Sequence, residues 1–196
     1  MYQAVCYAVV DVGTQQSKLF DAKKQIYLLF ELPFERHTFE RDGKKVELPR
    51  AISKPWGATL GKKAYLRRDL ESWRGRPFTE EELKGFELKN LLGANCQLNI
   101  IHNEKNGSVY ANIASVAPLA KGMAKMAPEN PVLCFDLDEF LKTGAGNWPA
   151  NLPEWLKAKI MNSDEYLNAM QVPGDPPATT NEPLDDSNPP TEDCPF

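Results

Sequence analysis

Histidine is scarce in this chain, and cysteine is dispersed. Only His37 and His102 occur in 196 residues, while Cys6, Cys96, Cys134 and Cys194 stand far apart with no C-x-x-C pair. That spacing suggests neither a zinc site nor a disulfide framework, and it reads as free thiols in a reducing compartment. Two histidines also leave little from which to assemble a Ser/His/Asp or Cys/His nucleophile. No apolar run approaches the length needed to cross a bilayer, and the opening MYQAVCYAVVDVG lacks the basic start and small-residue cleavage site of a signal peptide. The expectation is a cytoplasmic protein with no membrane partner. GTQQSK (13–18) lacks the second glycine and the Lys-Ser/Thr ending of a phosphate-binding loop, and there are no internal repeats.

Lysine and arginine are missing altogether from 172–196, where six acids and seven prolines occur. Such a segment cannot recover its ordering entropy by burial, so it is expected to be a disordered acidic tail. With a net charge of −4 overall, those six uncompensated acids leave residues 1–171 at +2. The positive charge is concentrated once more between Lys54 and Arg76, where Lys54, Lys62, Lys63, Arg67, Arg68, Arg74 and Arg76 face only Asp69 and Glu71, a local +5. A basic patch on a mildly basic body points to a polyanionic partner.

The first fifty residues read as three strands, AVCYAVVDV (4–12), QIYLLFELPF (25–34) and KKVELPRAIS (44–53), with the turn dipeptide Asp42-Gly43 ahead of the third. The period then changes. Leu66, Leu70 and Trp73 form one helical stripe, closed by Gly75 where a left-handed cap is wanted. A short helix follows, in which Thr79 and Glu82 have capping-box spacing. CQLNIIH (96–102) and SVYANIASV (108–116) are two more strands, joined through Asn106-Gly107, a strong hairpin signal. Three strands, a helix and two strands is the order of the OB-fold, a five-stranded barrel that binds single-stranded nucleic acid or oligosaccharides. FDLDEFLKTG (135–144) suggests a short helix, and 152–170 a longer one in which Trp155, Ile160 and Tyr166 pack back on the barrel. The expected organisation is mainly β: an OB-fold domain over 1–123 with a helix between strands 3 and 4, a helical extension over 124–171, and the acidic tail over 172–196.

Binding a single strand requires cations for the phosphates and exposed rings on which unpaired bases stack. Lys63, Arg67 and Arg74 share a helical stripe beside Arg68, with Lys54 and Arg76 at its flanks. The ordinary role for such a run is a solvated helix face. Trp73 shares the stripe of Leu66 and Leu70, which makes it core. If Val109, Ala111 and Ile113 face inward, Tyr110 faces outward; Tyr27 alternates similarly, and Trp56 follows Lys54-Pro55 in an expected loop. The DNA-binding candidates are therefore Lys54, Trp56, Lys63, Arg67, Arg68, Arg74, Arg76, Tyr27 and Tyr110. Asp136 and Asp138 would serve a metal-dependent nuclease, but no third ligand accompanies them and acids at a helix start are normally caps. No enzyme activity, metal or cofactor is expected.

Two resemblances supplement these readings. The ending DDSNPPTEDCPF resembles the tail of bacterial single-stranded DNA-binding proteins, in which a disordered linker leads to acids and a final Pro-Phe; Pro195 and Phe196 match it, with Asp185, Asp186, Glu192 and Asp193 as the acids, and Cys194 interrupting them. From about residue 5 to 165, through ESWRGRPFT and LLGANCQLNIIH, the body resembles small phage-encoded OB-fold proteins of replication and recombination. The resemblance implies a protein that coats single-stranded DNA non-specifically in the host cytoplasm and recruits replication and recombination proteins of phage or host through Phe196 and the nearby acids. Charge complementarity within the chain further suggests that, without DNA, the acids lie over the basic groove. A protein-binding adaptor without DNA affinity is the alternative. An exposed barrel edge would admit a homo-oligomer.

Overall fold

The computed structural model describes residues 1–17, 21–41, 43–105, 107–144 and 146–170. Asp42 and Asn106 of the two expected turns lie outside the described residues, as do Asp185, Asp186, Glu192, Asp193, Pro195 and Phe196.

Five strands, β1 (Tyr2–Gln15), β2 (Lys23–Arg41), β3 (Lys44–Gly57), β4 (Asn95–Lys105) and β5 (Ser108–Ala117), pair antiparallel in the order β3-β2-β1-β4-β5. β3 and β5 approach each other with no hydrogen-bonded ladder among the described residues, so the sheet curls into a nearly closed barrel. This is compatible with the OB-like barrel read from the order of elements. α1 (Tyr65–Arg74) packs on both β3 and β5 at this seam. Its stripe of Leu66, Leu70 and Trp73 is buried in the barrel core as the spacing requires, each aliphatic side chain contributing about 2 kcal/mol. Gly75 ends the helix at φ 70°, a left-handed conformation that a side chain would resist. Thr79 caps α2 (Glu80–Gly85) with both halves of the capping box in place, and a 3-10 turn (Leu88–Leu91) leads into β4.

β1 and β2 bury both of their faces. Ala4, Cys6, Val9, Ile26, Leu28 and Phe30 point into the barrel, whereas Tyr7, Val10, Val12, Tyr27 and Leu29 point outward into a second core. That second core is completed by β6 (Leu133–Phe135), which pairs parallel with β1, by Leu137 and Phe140 of α3 (Leu137–Lys142), and by Leu156 and Ile160 of α4 (Glu154–Met161). A strand covered on both faces reads as a continuous apolar run, which explains AVCYAVVDV. The helix expected over 152–170 is instead two, α4 and α5 (Asp164–Met170), separated at Asn162-Ser163. There Ser163 Oγ donates to Ile160 O at 2.6 Å and accepts from Tyr166 N at 3.3 Å, a local competition that ends one helix and starts the next. α5 docks on β1, where Glu165 Oε1 accepts from Thr14 Oγ1 at 2.7 Å. A β-carbon on Gly13 would stand 2.7 Å from Glu165, Leu137 and Ser163, so no other residue fits there.

A strap over 118–131 links β5 to β6 and crosses the outside of the sheet. Asn95 holds it at Met126, Gln3 donates to Ala124 O at 2.8 Å, and the fully buried Glu31 accepts from Glu129 N and from the backbone and side chain of Asn130. Asn95 and Glu31 are both register partners of Val5, so the strap follows a single row across β4, β1 and β2.

Two hairpins project from this body. Among the described residues, the β2–β3 arm is largely exposed from Glu35 to Glu47 and β4–β5 is exposed from Ile101 to Val109. At the root of the first arm the register jumps from Leu32↔Arg50 to Arg36↔Pro49, leaving Pro33, Phe34 and Glu35 as a bulge that turns Phe34 out to solvent.

Candidate nucleic-acid interface

Most cations of the basic stretch are already engaged. Asp69 on α1 is buried and accepts from Lys54 Nζ at 3.1 Å, Trp56 Nε1 at 2.9 Å and Arg68 Nη2 at 2.9 Å. Burial alone would raise the Asp69 carboxyl pKa; the Trp56, Arg68 and Lys54 contacts outweigh it and hold the group below its ordinary value. Arg67 Nε donates to Glu71 at 2.9 Å, and its side chain is only 16% exposed. Arg74 and Arg76 both turn to Glu82, Arg76 Nη2 at 2.6 Å, and Arg74 also lies 4.0 Å over the Phe78 ring. The Arg76 hydrogen bond, helped by Thr79 N and Arg74, pulls the Glu82 carboxyl down to about 2.

The sequence count of +5 is therefore corrected. It stopped at Arg76, six residues short of Glu82, and the chain folds that acid back onto two of the arginines. Lys54 shares the inward face of β3 with Ile52 and Trp56, which places its ammonium against α1 rather than in an open groove. What stays open is the approach to α1. Lys62 and Lys63 are exposed, with no carboxylate partner among the described residues. Arg68 is 62% exposed and lies 4.7 Å over the ring of Tyr65, itself 70% exposed.

The expected rings fare differently. Trp56 lies on β3, not in a loop, and is 4% exposed because it faces inward with Ile52. Tyr27 does point outward, as alternation requires, but α4 covers that face and leaves it 3% exposed. Neither ring is open to a base in this structure. Trp73 is core, with Nε1 donating to Asn95 O at 2.9 Å. Tyr110 is half-buried on the outer face of β5, opposite Asn103, while Ala111 and Ile113 pack inward. Val109, expected inside, is exposed because the hairpin has left the barrel by that point. Tyr65 is absent from the sequence candidates, whose rings lie on expected strands and loops. The signal was present: Tyr65 precedes Leu66, off the apolar stripe, and stands three residues before Arg68.

The acidic pair is taken up structurally. Asp136 caps α3 by accepting from Glu139 N at 2.9 Å, and Asp138 accepts from Lys24 Nζ at 3.1 Å. Among the described residues no group of three or more His, Cys, Asp or Glu side chains is placed to hold a metal ion, and no helix is long and apolar enough to cross a membrane. Comparisons with family models, with curated proteins and with solved structures found no match to this chain.

Proposed function

We propose that the barrel is an OB-fold that coats single-stranded DNA, in phage replication or recombination, with Lys62, Lys63, Tyr65 and Arg68 at the start of α1 as its phosphate and base contacts. The observation that carries this reading is the patch itself. Two lysines without acids and an exposed ring backed by a guanidinium supply both requirements of strand binding, phosphate neutralisation and stacking, on one short segment. Lys63 and Arg68 come from the original basic candidates; Tyr65 replaces Trp56 and Tyr27, and Tyr110 remains a second ring. The resemblance of the body to phage OB-fold proteins supports the substrate. The six acids of 172–196 suit basic surfaces of replication or recombination partners.

The test is fluorescence anisotropy of the full chain on labelled oligo-dT, a mixed single strand and a duplex at two salt concentrations. The reading requires single-strand affinity that falls with salt and exceeds duplex affinity. A second reading, a protein-binding adaptor, is favoured by Phe34: it is exposed on its bulge, and the neighbouring Arg36 is already engaged by Glu47 and Glu129. No affinity for any strand at either salt would leave that reading standing.

A further inference from the structure

β4 carries an unusual load of asparagine for a strand. Asn is disfavoured in strands, yet Asn95, Asn99 and Asn103 recur every fourth residue on the outer face of β4, and Asn112 lies on the same face of β5. Asn95 displays what such a side chain does here. Its Oδ1 accepts from Met126 N at 2.9 Å and its Nδ2 donates to Met126 O at 2.9 Å, so a single carboxamide reads a donor and an acceptor laid across the sheet. The strap held in this way reaches Gln97, which contacts Met123. Beyond that point the same face continues without cover.

Asn99 and Asn103 are exposed, and their carboxamides bond to nothing among the described residues. In register, Asn99 faces Ser115, Ile101 faces Asn112, and Asn103 faces Tyr110. Lys105 follows on this face, whereas Glu104 alternates to the other side with His102. From Asn99 to Lys105 and back to Ser115, the described outer face therefore holds amides, hydroxyls, the aliphatic side chain of Ile101, one ring and one cation, and no carboxylate.

We infer that the outer face of the β4–β5 hairpin is a base-edge site for single-stranded nucleic acid, in which the Asn99 and Asn103 carboxamides pair with bases, one of them stacked on Tyr110. This rests on the proposed strand-binding function and adds a base preference to it. A carboxamide offers one donor group and one acceptor in a plane, the pattern presented by an unpaired base edge. A single strand leaves those edges open and a duplex consumes them. An extended peptide presents similar groups, but a ring beside Asn103 and a lone cation without an acid favour a stacked, phosphate-linked base.

The experiment is anisotropy competition with the full chain against oligo-dT, oligo-dA and oligo-dC, using wild type, the Asn99→Ala/Asn103→Ala double variant and Asn103→Gln, with thermal melts as the folding control. The expected result is discrimination of about tenfold between the best and worst homopolymer, falling below about twofold in the double variant with the salt dependence unchanged. Asn103→Gln, which keeps the carboxamide, retains part of it. Tight wild-type binding without discrimination overturns the inference alone, as does discrimination that survives in the double variant. Failure of the wild type to bind any strand overturns the proposed function and this inference together.

Discussion

The ring of Tyr27 on β2 stands edge-on to that of Trp155 on α4, centroids 5.2 Å apart and planes at 75°. This contact joins the barrel to the segment that follows it in sequence, and it is why the outward side of β2 is core rather than binding surface. Truncating Trp155 to Ala is expected to cost about 2–4 kcal/mol, read as a lower urea midpoint with an unchanged slope. A chain ending at Gly122 would leave Tyr7, Val10, Val12, Tyr27 and Leu29 uncovered, and should bind a hydrophobic dye and aggregate. A soluble, cooperatively melting fragment would show that the barrel stands without β6 and α3–α5.

Asp69→Asn removes the charge that Lys54 and Arg68 share while keeping a near-isosteric side chain. A loss of about 2–3 kcal/mol is expected, because the half-buried Lys54 ammonium is left without its counterion. Asp69→Asn combined with Lys54→Met should recover part of that loss in denaturant titrations. Equal losses in the single and double variants would mean that the ion pair contributes little.

Glu82 gives a pH signature. Its folded carboxyl lies near 2, held there first by Arg76, while an unfolded Glu titrates near 4.3. A depressed folded value contributes stability that is fully present above the unfolded pKa and disappears as pH falls through the folded one. Glu82→Gln should therefore melt below wild type at pH 6, with the gap closing between about pH 4.3 and pH 2. A gap independent of pH over that window would assign the effect to the Thr79 cap instead.

Tyr65→Ala is expected to weaken single-strand binding by about 5- to 150-fold at constant salt, the range for one base stacked on an aromatic ring. Lys62→Gln/Lys63→Gln should reduce the salt slope by roughly 1.4, about 0.7 for each single-strand phosphate contact. Arg67→Gln, whose guanidinium is spent on Glu71, should leave affinity near wild type. A larger effect from Arg67 than from Tyr65 would place the strand elsewhere on α1.

Thiol reactivity reports on the barrel interior. Burial pushes the Cys6 thiol up to about 12 and raises Cys96 as well, both being enclosed by the core. Cys134 on β6 is exposed. Under native conditions a thiol reagent such as DTNB should modify Cys134 and leave Cys6 and Cys96 intact by peptide mass analysis, while denaturant should release both. Rapid native labelling of Cys6 would contradict the packing of β1 described above.

The amino-acid sequence by itself determined the order of strands and helices as far as β5, since alternation, the Leu66/Leu70/Trp73 stripe, the Gly75 stop and the Thr79–Glu82 box all depend on residues close together in the chain; β6 and the division of 152–170 into α4 and α5 were not legible there. It also determined which side of a strand or helix a residue takes, so that Tyr27, Tyr110 and Trp73 point where periodicity directs them. What lay beyond that face was decided only by tertiary structure. Whether an outward side chain meets water or another layer depends on a segment a hundred residues away, and so Tyr27 is buried under α4 while Tyr110, with no such cover, stays half-open. Charge behaved in the same way. Lysines and arginines could be counted between Lys54 and Arg76, but their availability depends on distances to carboxylates, and folding brought Asp69, Glu71 and Glu82 within hydrogen-bonding reach of five of them, leaving Lys62 and Lys63 as the open pair.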